Sequence, residues 1–379
     1  MKFIVKNSSK DKRGFLLLFS VFMVAVFGCI MVHSASCYVA ELDYKDAFYF
    51  TKKQIFGVVV GSVFMVASYF LDLSFLKKYA WVIYLVSIVL LALCFLPFLS
   101  VEIYGARRWL NLGLFTLQPS EIAKFAYIIW VARYFSMKPE RVNGFKGIIL
   151  PILLGGIVCL LIILEPNMSI TMCVALLMIS LLYVSGVKIR YIIAVLIPVI
   201  LMVPILILLE PYRLLRLSAF LNPWQSAKGE GYQLIQSLYG LGSGGLFGVG
   251  LFRSRQKFKF LPFAESDFIL SIIGEELGFV GILFLFLVFF IIIYLSFSIA
   301  IKASNYFGYI YAMGVGLIFL IQVVINALVV SGSMPPTGLP LPLISAGNTS
   351  IIVYMTAFGF LASLSKSTSP SLTKKAKIS

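Results

Sequence analysis

The stretch FLPFAESDFILSIIGEELGF, residues 260–279, decides how the rest of the chain is read. It holds Glu265, Asp267, Glu275 and Glu276, and it opens an apolar run that continues to about residue 299 with almost no charge. A hydrocarbon core of about 30 Å is crossed by about 20 apolar residues in a helix. The run is long enough to cross and still carry a tilt or a helical extension beyond the bilayer. The acids therefore gather where a membrane span begins.

Outward from that stretch the same pattern recurs. Of the 379 residues 61% are hydrophobic and only 12% charged, about half the charge that covers a soluble domain. Inside lipid only helices and closed barrels satisfy their backbone, and runs this continuous lack the alternation of a barrel strand. The sequence predicts an all-α polytopic membrane protein with ten spans. They lie near 14–36, 54–72, 79–98, 119–135, 147–164, 168–187, 191–209, 268–299, 307–330 and 349–364. The first run is longer than a signal-peptide core and reads as a retained span.

Basic residues set the orientation. With the N-terminus inside, the short inner segments hold more than half of the 31 lysines and arginines, as the positive-inside rule requires. This gives a cytoplasmic segment 1–13, a membrane domain 14–364 with a large outer loop 210–266, and a cytoplasmic tail 365–379. The net charge of +16 has this same cause, and no nucleic-acid partner is expected. The outer loop is itself basic, with Arg213, Arg216, Lys228, Arg253, Arg255, Lys257 and Lys259 around a glycine-rich run. The five cysteines are scattered and show no disulfide or metal spacing. With His33 as the single histidine, a histidine triad or histidine zinc site is excluded.

Three blocks could carry chemistry. In ESDFILSIIGEELG, Ser266 and Asp267 suit helix capping, or Asp267 is a surface carboxylate that takes a proton. Glu275 and Glu276 would lie about 12 Å further along a continuous helix, where ionisable groups face a polar interior or lock helices together. In GARRWLNLGLFTLQPSEIAKF, residues 105–125, Arg107 and Arg108 beside Trp109 are an interface anchor or a phosphate clamp. Pro119 suits the first helical position, and Glu121 and Lys124 can pair at the start of the span. In PPTGLPLPLISAGNTS, residues 335–350, the prolines exclude a helix interior, so the segment is a stiff outer loop or a cavity wall.

Together these blocks, with GYQLIQSL…GSGGLFGVGL, resemble the SEDS family (shape, elongation, division and sporulation) across essentially the whole chain. NPW…GYQLIQSL and RQKFKFLP are more similar to its division and sporulation branch than to its elongation branch. The resemblance implies ten spans, cytoplasmic termini and peptidoglycan glycosyltransferase activity on the outer face of the bacterial inner membrane. The substrate is lipid II, a disaccharide-pentapeptide on undecaprenyl diphosphate. The implied catalytic residue is Asp267. Arg107, Arg108, Glu121, Lys124, Gln256, Lys257 and Ser345 are implied to bind substrate, and Glu275, Glu276, Pro336 and Pro340 to support the site. A divalent cation, Mg2+ or Mn2+, is expected, with no organic cofactor. Expected partners are a single-span class B penicillin-binding transpeptidase, since the chain shows no serine-nucleophile domain, and division-complex membrane proteins. Two departures stand out: Phe263 replaces a common Glu, and Ala346-Gly347-Asn348-Thr349-Ser350 replaces Tyr-Gly-Gly-Ser-Ser. A lipid II transporter or a non-catalytic scaffold would share the spans. The transporter would place its charges at the midplane, and the scaffold gives Asp267 no chemistry.

Overall fold

The computed structural model describes residues 12–103, 106–111, 113, 116–208 and 211–367. The segment before Lys12 and the tail beyond Ser367, both expected to be cytoplasmic, lie outside the described residues. A helix stands at each of the ten expected spans. They are α1 (Arg13–Tyr44), α2 (Tyr49–Phe70), α3 (Leu73–Leu93), α4 (Pro119–Met137), α5 (Phe145–Leu164), α6 (Met168–Val184) and α7 (Ile189–Leu208), then α10 (Ile269–Ile301), α11 (Tyr306–Val330) and α12 (Asn348–Ser363). Among the described residues seven of these are long and apolar enough to cross a membrane unaided. The other three are α4, which carries Glu121, Lys124 and Arg133, the shorter α6, and α7. Between α7 and α10 lie α8 (Pro211–Leu221) and α9 (Tyr232–Gly244).

The all-α expectation needs one correction. A small antiparallel sheet, β1 (Ser100–Ile103), β2 (Ala106–Asn111) and β3 (Thr116–Leu117), links α3 to α4 in the order β1-β2-β3. Its register slips between Val101 and Glu102. Arg107 and Arg108 sit on the middle strand.

Helices with no apolar advantage over lipid associate through close packing of small residues. The α2–α12 contact shows this. A Cβ at Gly61 would lie 2.7 Å from the Met355 sulfur, and one at Gly57 would lie 3.2 Å from Asn348 Oδ1. In α1, Gly28 lets the backbone of Leu343 and Ile344 approach to within 2.7 and 2.9 Å of where a Cβ would stand.

A second correction concerns depth. Arg13 Nη1 donates to Ser298 Oγ at 2.7 Å, and Ser34 Oγ donates to Glu276 Oε1 at 2.6 Å. These ties are 21 residues apart on α1, about 32 Å, which is one hydrocarbon thickness. Glu275 and Glu276 thus mark the far end of the span rather than its interior. The helix breaks there: Gly278 has φ 67°, ψ −169°. The break removes the two helical bonds that the Phe279 and Val280 amides would give to the carbonyls of Glu275 and Glu276. The loop after α9 restores all four groups. Val249 and Gly250 donate to Glu275 O and Glu276 O at 3.0 Å each, and Phe279 and Val280 donate to Gly245 O and Leu246 O at 2.9 and 3.1 Å. Buried backbone groups need such partners.

Candidate active site

Asp267 is half-buried in the turn that leads into α10. The capping position falls on Phe268, with no side-chain cap, and Ser266 Oγ donates to Phe263 O at 3.4 Å. Two elements fix the turn. From α11, Asn326 Nδ2 donates to Asp267 O and to Leu339 O, both at 2.8 Å. From the proline-rich segment, Ser345 Oγ donates to Ser266 O at 2.6 Å, and the Ala346 amide donates to Glu265 O at 2.9 Å. Gly338, at φ 74°, lies so close that a Cβ there would stand 3.2 Å from Asp267 Oδ2. Side chain at Asp267 and bare backbone at Gly338 are matched.

The segment from Pro335 to Gly347 is irregular, and Leu339, Leu341, Leu343 and Ile344 within it are buried. Its polar groups find side-chain partners. Gln54 Nε2 donates to Ile344 O at 3.0 Å and Ser345 O at 3.3 Å, the Leu341 amide donates to Ser345 Oγ at 2.8 Å, and Ser169 Oγ donates to Thr337 O. Irregular backbone enclosed by protein is the condition under which it is tolerated at membrane depth. Pro336 and Pro340 lie in this segment, where neither could continue a helix interior. Of the two sequence departures, Phe263 is exposed at φ 56° in the turn, and Asn348 opens α12 against Gly57.

Glu121 and Lys124 pair at 2.7 Å, both fully buried. Lys124 Nζ also donates to Gln322 Oε1 at 3.2 Å, and Tyr354 donates to the same oxygen. Gln322 and Asn326 are four residues apart, hence on one face of α11. That face joins the buried ion pair to the backbone of Asp267, one helical turn away. No sequence signal marked Gln322, Asn326 or Gln54; each is an amide in an apolar run, legible only as costly to bury without a partner.

The other expected residues fall elsewhere. Arg107 Nη2 pairs with Glu102 at 3.1 Å on the sheet surface. Arg108 Nε donates to Glu165 O at 3.2 Å and its Nη2 to Pro166 O, so it staples the sheet to the α5–α6 turn. Gln256 and Lys257 are buried, with Lys257 Nζ donating to Phe252 O at 2.6 Å and standing 3.7 Å from Glu276 Oε1. Glu275 accepts from the Arg255 and Gln256 amides at 2.9 and 3.3 Å and from Ser254 Oγ, while Glu276 accepts from the Ser254 amide at 3.1 Å. The two acids thus hold the loop Arg253–Lys257 in place.

Two carboxyls outside the spans are held above their ordinary range. Burial raises Glu265, and the neighbouring Asp267 charge adds to it. Glu165, in the α5–α6 turn, is pushed up to about 8 by burial, which the Cys94 thiol and Arg108 only partly offset. Neither Glu165 oxygen receives a hydrogen bond of ordinary geometry. Among the described residues no group of three His, Cys, Asp or Glu is placed to hold a metal ion. Asp267 is a hard oxygen donor, which suits Mg2+ or Mn2+ when substrate phosphates complete the set.

Fold and site together define a polytopic helical membrane protein with a fixed carboxylate at one end of the bundle. The family model described as "Cell cycle protein", for FtsW, RodA and SpoVE, matches residues 15–370, and the chain belongs to that family. It is 36% identical to "Probable peptidoglycan glycosyltransferase FtsW" of Trichlorobacter lovleyi, covering 92% of each chain. It is 34% identical to "Stage V sporulation protein E" of Bacillus subtilis, covering 95% of this chain and 99% of that one. A chain from a peptidoglycan synthase complex, in a structure concerning its coordination of polymerization and crosslinking, matches with TM-score 0.77 at 27% identity, over 93% of this chain and 98% of that one. The crystal structure of RodA from Thermus thermophilus shares the fold, with TM-score 0.67 at 23% identity, over 96% of this chain and 99% of that one.

Proposed function

We propose that this chain is a peptidoglycan glycosyltransferase that polymerises lipid II on the outer face of the bacterial inner membrane, at the division site. The supporting observation is the Asp267 turn. Its backbone is held from α11 and from the proline-rich segment, while Gly338 leaves its carboxylate room. A general base must sit within reach of the hydroxyl it deprotonates and hold its orientation. Asp267 takes the proton from the acceptor sugar hydroxyl, which attacks the anomeric carbon of the donor. Undecaprenyl diphosphate leaves with inversion, and as an activated leaving group it needs no separate proton donor. A divalent cation would be held by Asp267 and the substrate diphosphate, and would neutralise the charge of the leaving group. Glu121 and Lys124 keep the column beneath the turn polar and rigid.

Both termini would be cytoplasmic, with ten spans and residues 210–266 outside. The partner would be a single-span class B penicillin-binding transpeptidase within the division complex. The match to a chain from a complex that couples polymerization to crosslinking supports this pairing.

The test uses purified protein in lipid vesicles with fluorescent lipid II. Glycan polymer on a gel supports the enzyme. Movement of lipid II between leaflets without polymer would make the chain a transporter. Neither result, with transpeptidase recruitment intact, would make it a scaffold.

A further inference from the structure

The mechanism leaves two arginines unused. Arg253 and Arg255 are exposed on the loop that Glu275 and Glu276 hold, and among the described residues neither guanidinium makes a hydrogen bond or ion pair. They line a cavity of about 450 Å³ with Ser243, Val249 and Glu275. The one acid in that wall does not oppose an anion there, because it is buried and its oxygens already accept from Ser254, Arg255 and Gln256. Lys257, the next cation along the loop, is withdrawn to Glu276. The cavity therefore presents two forked guanidiniums on a backbone that cannot retreat, the arrangement suited to phosphate oxygens.

The surroundings point to a phosphate carried by a lipid. The same loop exposes Leu246, Phe247, Leu251 and Phe252, and α10 exposes Phe279, Val280, Leu283 and Phe284. The two surfaces are joined directly, through the bonds from the Phe279 and Val280 amides to Gly245 O and Leu246 O. An apolar flank at the end of a span, with arginines beside it, fits a prenyl chain below and its diphosphate above.

Distance then separates the two substrates. Glu275 lies six residues into α10, about 9 Å from its start, and Asp267 stands in the turn before that start. The donor diphosphate is bonded to the carbon under attack, so it must lie beside Asp267. The acceptor presents its terminal hydroxyl to Asp267, and its diphosphate lies one disaccharide away. We propose that the Arg253–Arg255 cavity binds the diphosphate of the acceptor lipid II. This rests on the glycosyltransferase reading and assigns it an acceptor subsite.

The experiment fixes a lipid-linked tetrasaccharide donor at saturation, varies labelled lipid II, and repeats with the donor varied. It is run in phospholipid-free detergent and in phosphatidylglycerol vesicles. Losing two charge-assisted hydrogen-bond donors predicts that R253Q/R255Q raises KM for the acceptor about tenfold or more. With kcat nearly unchanged, the loss is one of binding alone. R253K/R255K keeps the charge but not the fork and falls between. An unchanged melting temperature excludes misfolding. Wild-type KM for the acceptor in the double Gln variant would overturn the proposal. So would a rise confined to the donor, which assigns the cavity to the donor diphosphate. A defect seen only in phosphatidylglycerol vesicles would assign it to bulk phospholipid, with the same consequence. If the wild-type protein itself made no polymer, the functional reading would fall first and this subsite with it.

Discussion

Gly278→Ala should destabilise this protein more than any other single methyl added to α10. At φ 67°, ψ −169° the residue occupies a region essentially restricted to glycine, and an L side chain there costs about 1–3 kcal/mol. Space makes it worse. A Cβ would lie 2.6 Å from the carbonyl carbon and oxygen of Leu246, and closer to the Gly248 amide nitrogen. These are backbone atoms and cannot swing aside. If the loop withdraws instead, the four bonds joining residues 245–250 to Glu275, Glu276, Phe279 and Val280 are lost. Each buried group left without a partner costs about 1–3 kcal/mol. Straightening the helix would recover its own two bonds but strand the loop groups. The least costly route still loses about 2 kcal/mol or more. Thermal unfolding in detergent micelles, followed by tryptophan fluorescence, measures it. The control is Gly156→Ala in α5, where no atom lies within 4 Å of the added methyl; relative to glycine it should be neutral or stabilising by up to about 1 kcal/mol. A Gly278→Ala protein melting at or above wild type would refute the account of the break.

Other consequences can be measured alongside it. Glu276→Ala strands the buried Lys257 ammonium, 3.7 Å away in the native protein, and should cost about 3–5 kcal/mol; adding Lys257→Met should restore most of the lost melting temperature. Glu165, held at about 8, binds a proton in the native state that an unfolded carboxyl with a pKa of about 4.3 has released. Native stability should therefore fall as pH rises between those two values and level off above them. Glu165→Gln should flatten that slope, and an identical slope in the variant would show that the carboxyl is not buried as described. Gly338→Ala meets both a positive φ and the Asp267 carboxylate at 3.2 Å, so polymerisation should fall more steeply than melting temperature.

The helices were legible because lipid imposes one simple demand, a long apolar run with its backbone satisfied internally. All ten expected spans found a helix. The Glu121–Lys124 pair was legible for the converse reason, since charge within a span needs a partner. What was not legible depends on partners distant in sequence. The sheet that carries Arg107 and Arg108 is only a few residues per strand, too short for a periodic signal. The break at Gly278 requires knowing that residues 245–250 lie against it. Glu275 and Glu276 read as deep acids along a continuous helix, yet Ser34 of α1 places Glu276 at the end of the bundle. Lys257 looked like a free outer cation and is buried against Glu276, whereas Arg253 and Arg255, four and two residues earlier, face outward.

The central claim is that the Asp267 carboxylate does chemistry, and one substitution addresses it. Asp267→Asn keeps the side chain's shape, and the Asp267 carbonyl that Asn326 holds is untouched, so melting temperature and partner binding should match wild type. Polymerisation of purified lipid II, read as glycan on a gel over time, should fall by about 10²–10⁴-fold, the usual effect of losing a general base. Glu265→Gln, two residues away, should retain most of the rate. An Asp267→Asn protein that polymerises lipid II at close to the wild-type rate would contradict the account.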